Sequence, residues 1–179
     1  LTVSSVSTPA LTQAQTQPNI LFIVADDQRM DAVAAFGNPL IKTPTLDKLV
    51  HEGTVLSRAT CAYPVCLPSR TEMLSGRTFA NAIDHASAQP PTLPALLRTA
   101  GYEAWHVGKW HMAGRPITQG FTSSRALFTE SAKNPKPPMT FDVHGRPITG
   151  YRGWVFQDDE GKEFPELGVG LTPNISEQF

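Results

Sequence analysis

The sequence predicts an α/β fold in which helices flank a sheet. Three observations predict it: an uninterrupted β-prone apolar run at residues 19–25, amphipathic segments that end at glycines, and the alternation of these two patterns along the chain. An apolar run without polar interruptions is typical of a strand buried on both faces, as in a parallel sheet covered by helices. The 179 residues, 40% of them hydrophobic, are enough for one sizeable core.

Charge and composition exclude several classes of protein. A net charge of −1 provides no basic surface for nucleic acid or for a membrane. No stretch approaches the roughly 20 apolar residues of a membrane-spanning helix. Residues 1–17 are polar, small and aperiodic, which indicates a disordered lead-in or the remnant of a signal peptide. We therefore expect a periplasmic or secreted protein.

The helices are predicted from their apolar spacing and their end signals. Residues 45–53 form a short amphipathic helix that ends at Gly53, and a second helix begins near Pro68 and ends at Gly76. A third helix covers residues 92–100, where three leucines share one side.

The remaining strands follow from short β-prone runs between these helices. We expect strands at residues 54–60 and 102–107, in addition to the one at 19–25. Residues 130–179 are rich in proline and loop-like, with one hairpin at 151–163 that turns at 158–161. Residues 171–179 resemble the start of a helix that is not completed, so we expect a truncated domain.

A pair of adjacent carboxylates, Asp26 and Asp27, ends the first apolar run. Ligands of open α/β sheets bind beyond the carboxyl ends of the strands, and two neighbouring carboxylates are stabilised by a cation between them. Oxygen ligands of this kind select calcium or magnesium rather than zinc. Taken alone, such a pair is more typical of a solvated turn after a strand than of a metal site.

A second polar cluster surrounds Cys66, which precedes a predicted helix start. Free backbone N–H groups and the helix dipole favour negative charge there, and Arg70 lies one turn later, where its guanidinium can return to the same helix end. The alternative is a buried structural thiol. With Cys61 it could also form one short-range bridge, since two cysteines provide no disulfide framework.

Together, four ordered segments resemble the signature of the type I, formylglycine-dependent sulfatases, which belong to the alkaline phosphatase-like superfamily. The segments are Cys-x-Pro-Ser-Arg at 66–70 with Ser-Gly-Arg at 75–77, Pro-Asn-Ile through Asp-Asp at 18–27, Lys-Thr-Pro-Thr-Leu-Asp at 42–47, and Gly-Tyr through Gly-Lys-Trp-His at 101–111. The resemblance covers roughly residues 18–121. It implies that residues 18–179 are the N-terminal part of a sulfatase catalytic domain with an alkaline phosphatase-like sheet flanked by helices.

The resemblance also implies a mechanism of sulfate-ester hydrolysis. Cys66 is the precursor of formylglycine, and a hydroxyl of the hydrated aldehyde attacks the sulfur atom. A divalent metal, calcium with magnesium possible, is held by Asp26, Asp27 and residue 66. Arg70 holds the hydroxyl of the nucleophile. The implied partners are a sulfated small molecule or carbohydrate as substrate, and a formylglycine-generating enzyme during maturation.

Lys109 and His111 are two residues apart, so extended backbone projects them to the same side while Trp110 turns away to pack. By resemblance, Lys109 binds the sulfate and reaches towards residue 66, and His111 hydrogen-bonds the formylglycine diol. His106 does not form a zinc pair with His111, because a separation of five residues on a strand points the two side chains to opposite faces.

For Cys61 and three polar residues the sequence gives less specific predictions. Cys61 lies outside the modification motif and is expected to pack in the interior, and three polar residues are candidates for the pocket lining: Arg77, His85 and Arg115. Residues 174–176 match the glycosylation sequon, which has meaning only in a eukaryotic secretory protein.

Further metal ligands of the family, together with a second lysine and another histidine, come from later sequence, and no such motif is recognisable here. We therefore expect this chain alone to be inactive. Two alternatives stay open: a phosphonate or phosphate monoester hydrolase of the same superfamily, and a catalytically incomplete fragment with a binding role.

Overall fold

The computed structural model describes residues 17–84, 91–133, 144–145, 151 and 153–167. The chain divides into two compact units, Leu1–Val55 and Leu56–Phe179. None of the helices in the described residues is both long enough and apolar enough to cross a membrane.

The first unit is built around helix α1, Pro44–Glu52, preceded by two short 3-10 helices at Met30–Ala32 and Ala34–Phe36. The helix begins with proline at its first position, where no backbone donor is needed. It ends at Gly53, whose N–H donates to the Leu49 carbonyl at 2.9 Å. A Cβ at this glycine would lie 2.7 Å from that carbonyl oxygen, so the sequence-predicted stop is also a steric requirement.

Two sequence-predicted strands, at residues 19–25 and 54–60, are not strands in the structure. Both segments are irregular, and in the first the side chains of Leu21 and Ile23 are 68% and 75% exposed. An apolar β-prone run specifies burial, but a strand exists only when a neighbouring strand accepts and donates its backbone hydrogen bonds. Neither segment pairs with a strand in the part of the chain that the structure describes.

Three helices open the second unit: α2 at Cys66–Ser75, α3 at Phe79–Asp84 and α4 at Leu93–Thr99. Helix α2 begins two residues before the predicted Pro68 and ends at Gly76, which adopts a left-handed φ of 65°. Helix α4 agrees with its predicted extent, and α3 was not predicted.

A four-stranded sheet of order β1-β2-β3-β4 completes this unit: Trp105–Lys109, Ser123–Glu130, Trp154–Gln157 and Glu163–Phe164. β1 and β2 are parallel, whereas β3 and β4 pair antiparallel. The predicted strand at 102–107 lies two to three residues further along, and the predicted hairpin and its turn are confirmed. β2 was not predicted.

The core lies on β2 and β3. Phe128 and Phe156 are 1% and 2% exposed, their rings are 5.3 Å apart, and Trp154 packs 5.3 Å from Phe128. Helices accompany a mixed sheet, so the predicted α/β class is confirmed. The strands thereby place the end of β1 next to an aromatic core.

Candidate active site

The Gly-Lys-Trp-His segment ends strand β1. Lys109 is the last residue of the strand, and the next N–H, of Trp110, donates to the Phe128 carbonyl of β2 at 2.9 Å. The indole of Trp110 is 2% exposed and donates to the Gly114 carbonyl at 2.9 Å. The tryptophan therefore anchors the segment in the interior, as the sequence predicted.

The expected reason for the proximity of Lys109 and His111 is wrong. His111 has a left-handed backbone, with φ of 64°, so the extended geometry that would project both side chains to one side does not continue past the strand. Both side chains nevertheless reach the same aromatic residue. The Lys109 ammonium lies 5.7 Å from the ring centroid of Trp154, and the His111 ring meets that indole edge to face at 4.9 Å.

Cys66 is the first residue of helix α2, and its thiol is partly buried. The Lys109 ammonium donates a hydrogen bond to the Cys66 Sγ at 3.0 Å, although the two residues are 43 positions apart. The structure therefore brings together the two residues that the sequence places at the centre of the reaction.

Arg70, one turn into α2, connects the helix to the sheet. Its guanidinium donates to the backbone carbonyl of Lys109 at 2.9 Å. This charge-assisted bond fixes the end of β1 against the helix that carries Cys66. The sequence predicted a guanidinium near the nucleophile, and the structure places it on the backbone of the neighbouring lysine.

Tyr151 is a member of this cluster that the sequence did not reveal. Its hydroxyl accepts a hydrogen bond from the Lys109 ammonium at 2.9 Å, and the same ammonium lies 4.7 Å from the centre of the tyrosine ring. No motif or periodicity marks this residue, because only the pairing of β2 with β3 brings it close to β1.

His106, inside β1, supports the site from the interior. Its ring packs between Trp110 and Phe121, at centroid distances of 5.2 and 5.5 Å. Burial lowers the pKa of His106 from its ordinary value to about 4, while a hydrogen bond with the Lys109 backbone opposes this shift. The largely buried imidazole is therefore neutral near pH 7, within the strand that ends at Lys109.

The two adjacent carboxylates belong to the first unit. Asp26 and Asp27 are exposed, and Asp27 has a left-handed φ of 55°, which is uncommon for a residue with a side chain. Their oxygen atoms suit a hard divalent cation. No group of three or more histidine, cysteine, aspartate or glutamate side chains that could hold a metal ion occurs within the described ranges.

The remaining candidate residues predicted from the sequence are Cys61, Arg77, Arg115 and His85. Cys61 is exposed and both cysteines are free thiols, so the expected packing of Cys61 and the possible disulfide are wrong. Arg77 is exposed, and Arg115 donates to the Asp158 carbonyl at 2.8 Å, where it braces the turn between β3 and β4. His85 and the sequon at 174–176 lie outside the described residues.

Comparison with known proteins identifies the family of this chain. The family model described as Sulfatase matches residues 18–160, most of the chain. The chain belongs to the sulfatase family. Among its relatives, the N-acetylgalactosamine-6-sulfatase of Sus scrofa is 33% identical over 92% of this chain, and arylsulfatase J of Mus musculus is 38% identical over 56%.

A bacterial sulfatase is similar over a shorter stretch. The N-acetylglucosamine-6-O-sulfatase of Bacteroides thetaiotaomicron is 31% identical over 68% of this chain. The chain spans about a third of the length of the pig and human N-acetylgalactosamine-6-sulfatases, 35% and 32% respectively.

Proposed function

We propose that this chain carries the nucleophile and the sulfate-binding lysine of an enzyme that hydrolyses sulfate esters. The observation that carries the proposal is the hydrogen bond of 3.0 Å from the Lys109 ammonium to the Cys66 Sγ. It joins two motifs of the family that are distant in sequence, and it puts a cation within contact distance of the atom that the modification replaces. Membership of the sulfatase family supports the same reaction.

The residue at position 66 acts as the nucleophile after its conversion to formylglycine, whose hydrated aldehyde supplies a hydroxyl that attacks sulfur while the bond from sulfur to the alcohol of the ester breaks. The second hydroxyl then loses its proton, and the sulfate leaves as the aldehyde forms again. Lys109 binds the anionic sulfuryl group beside this position and offsets the charge that develops on its oxygens. Arg70 donates a hydrogen bond to the Lys109 carbonyl and thereby fixes the end of the strand from which the lysine side chain extends. His111 positions the hydroxyl of the nucleophile from its place against Trp154.

Asp26 and Asp27 are proposed as ligands of a divalent cation, calcium or magnesium. The adjacent carboxylates and their oxygen chemistry support this assignment. When bound, such a cation lowers the pKa of a coordinated hydroxyl and withdraws charge from sulfate oxygens. The resemblance also implies residue 66 as a ligand, and the other ligands are proposed to come from outside the described residues.

The proposed substrate is a sulfated carbohydrate or a small sulfate ester, since the names of the relatives include sulfatases of two amino sugars and an arylsulfatase. The proposed maturation partner is a formylglycine-generating enzyme that acts on the Cys-x-Pro-Ser-Arg segment. Both follow from the same assignment of position 66.

Replacement of Cys66 tests the proposal. In the complete enzyme that contains this chain, Cys66→Ala should abolish hydrolysis of 4-nitrophenyl sulfate, because an alanine side chain has no hydroxyl and is not converted to the aldehyde. Cys66→Ser should do the same where mass spectrometry shows an unoxidised serine, because a single hydroxyl leaves none to expel the bound sulfate. Cys61→Ala is the matched control, since Cys61 is an exposed free thiol five positions away, and it should retain activity. Activity of Cys66→Ala close to that of the unaltered enzyme contradicts the proposal.

A further inference from the structure

Tyr151 lies three residues before strand β3 and is held there by ring contacts and a backbone hydrogen bond. Its ring packs on Phe128 and Trp154, at centroid distances of 5.4 and 5.1 Å, and both of these residues are buried. Its carbonyl also accepts the Trp154 N–H at 3.1 Å. The tyrosine itself is 38% exposed, so the core holds one side of the ring while the other borders solvent.

The Lys109 ammonium donates one hydrogen bond to the hydroxyl of this tyrosine and another to the side chain of residue 66, the proposed nucleophile position. The ammonium donates to the Tyr151 Oη at 2.9 Å and to the Cys66 Sγ at 3.0 Å, and it lies over the tyrosine ring at 4.7 Å from the centroid. A lysine on four flexible carbons loses up to about 2 kcal/mol of rotamer entropy when it is held in one orientation. The phenol oxygen and the ring face together stabilise that single orientation.

We propose that Tyr151 is a positioning residue for sulfate-ester hydrolysis, which orients the Lys109 ammonium towards residue 66 before substrate binds. A donor that is already oriented needs no reorganisation when charge develops, and this is the source of its catalytic effect. The inference rests on the proposed function, because it acts through the lysine assigned there.

If Tyr151 had a purely structural role, activity would depend on its ring and not on its hydroxyl. The packing of Tyr151 on Phe128 and Trp154 uses the ring alone, whereas the contact with Lys109 also uses the hydroxyl. Tyr151→Phe removes the hydroxyl and keeps the ring, so it separates the two roles. Tyr102→Phe is the matched control, since Tyr102 precedes β1 at the opposite end from Lys109.

The experiment measures kcat and KM for 4-nitrophenyl sulfate with the complete enzyme. Tyr151→Phe should lower kcat by about 10-fold to 100-fold, the range for loss of one hydrogen bond to a charged group. KM should stay within about threefold, because the loss concerns charge that develops in the transition state. Tyr102→Phe should leave both constants unchanged, and the melting temperature of Tyr151→Phe should stay close to that of the unaltered enzyme.

A double-mutant cycle decides whether the tyrosine acts through the lysine. In a Lys109→Ala background, Tyr151→Phe should cause no further loss beyond about twofold, since no ammonium remains to be oriented. An equal loss with and without Lys109, or no loss in the single variant, overturns the inference. The proposed function fails separately: it is contradicted if Lys109→Ala itself keeps full activity, whatever Tyr151→Phe does.

Discussion

Removal of the Lys109 ammonium is the perturbation for which the structure gives the most specific expectation. Lys109→Ala deletes the donor to the Cys66 Sγ at 3.0 Å and to the Tyr151 Oη at 2.9 Å, together with the cation over the tyrosine ring. The backbone carbonyl that Arg70 binds remains in place. The change therefore removes one cation from the site while it keeps the connection between α2 and β1.

The magnitude follows from the distance at which the ammonium would meet the charge on the sulfuryl oxygens, taken as the 3.0 Å that separates it from the Cys66 Sγ. Two unit charges about 3 Å apart interact by about 1.4 kcal/mol in water and about 5.5 kcal/mol at an effective dielectric constant of about 20. Lys109 is partly exposed, so its effect lies between these limits. Loss of one preorganised donor costs about 10²–10³ in rate, about 2.7–4 kcal/mol, which falls inside this interval. We expect Lys109→Ala to lower kcat/KM for a small aryl sulfate by that factor.

The assay is steady-state hydrolysis of 4-nitrophenyl sulfate by the complete enzyme, with conversion of residue 66 checked by mass spectrometry. Lys162→Ala is the matched control, because the Lys162 ammonium also lies over an aromatic ring, that of Phe164 at 5.0 Å, beside strand β4. It should leave kcat/KM unchanged. Near-normal kcat/KM in a folded, converted Lys109→Ala enzyme would refute the assignment of Lys109 to the sulfuryl group.

Three further predictions concern other residues of the chain. His111→Ala should also lower kcat/KM by about 10²–10³, and its combination with Lys109→Ala should lose less than the product of the two, because both act on one charge cluster. Asp26→Ala with Asp27→Ala should reduce the calcium or magnesium content of the complete enzyme, and unchanged metal stoichiometry would count against these ligands. For His106, whose pKa falls from 6.5 to about 4 on folding, the unfolded chain binds the proton first as the pH drops. His106 alone should therefore lower the free energy of unfolding by about 2–3 kcal/mol between pH 6.5 and 4. Denaturant titrations should find this contribution to the pH dependence missing in His106→Leu, and an unchanged pH dependence would contradict the buried neutral imidazole.

Helices were predicted from the sequence more accurately than strands, because helix signals are local. The glycines that follow α1 and α2 end these helices, as their positions indicated. Each signal concerns hydrogen bonds within a few residues of the helix end. Helix α3 was not predicted, because it has only six residues and no comparable signal at its ends.

Strands depend on partners that lie far away in the sequence. Residues 19–25 have the strongest β pattern in the chain, yet they are irregular and exposed in the structure. β2 has a mixed polar and apolar pattern, Ser-Ser-Arg-Ala-Leu-Phe-Thr-Glu. It nevertheless pairs with β1 on one side and β3 on the other, and its Leu127 and Phe128 are fully buried. Tertiary context therefore outweighed intrinsic β preference at both places.

The site was predictable only as far as its motifs extend. The resemblance to the sulfatases named Cys66, Arg70 and Lys109, and the structure places these three in contact through side-chain or backbone atoms. Tyr151 could not be predicted, since its contact with Lys109 spans 42 positions and depends on the register of β1, β2 and β3. The left-handed backbone of His111 likewise could not be predicted from its separation of two residues from Lys109.

The mass of one tryptic peptide tests the central claim most directly. Residues 59–70 lie between two arginine cleavage sites and contain both cysteines, so Cys61 is an internal control for alkylation. In protein produced together with a formylglycine-generating enzyme, the peptide should take up one alkyl group rather than two and lose about 18 Da at position 66, the change from a thiol-bearing side chain to an aldehyde. A peptide alkylated at both cysteines, from cells that convert a known sulfatase, would contradict the assignment of Cys66 as the precursor of the nucleophile.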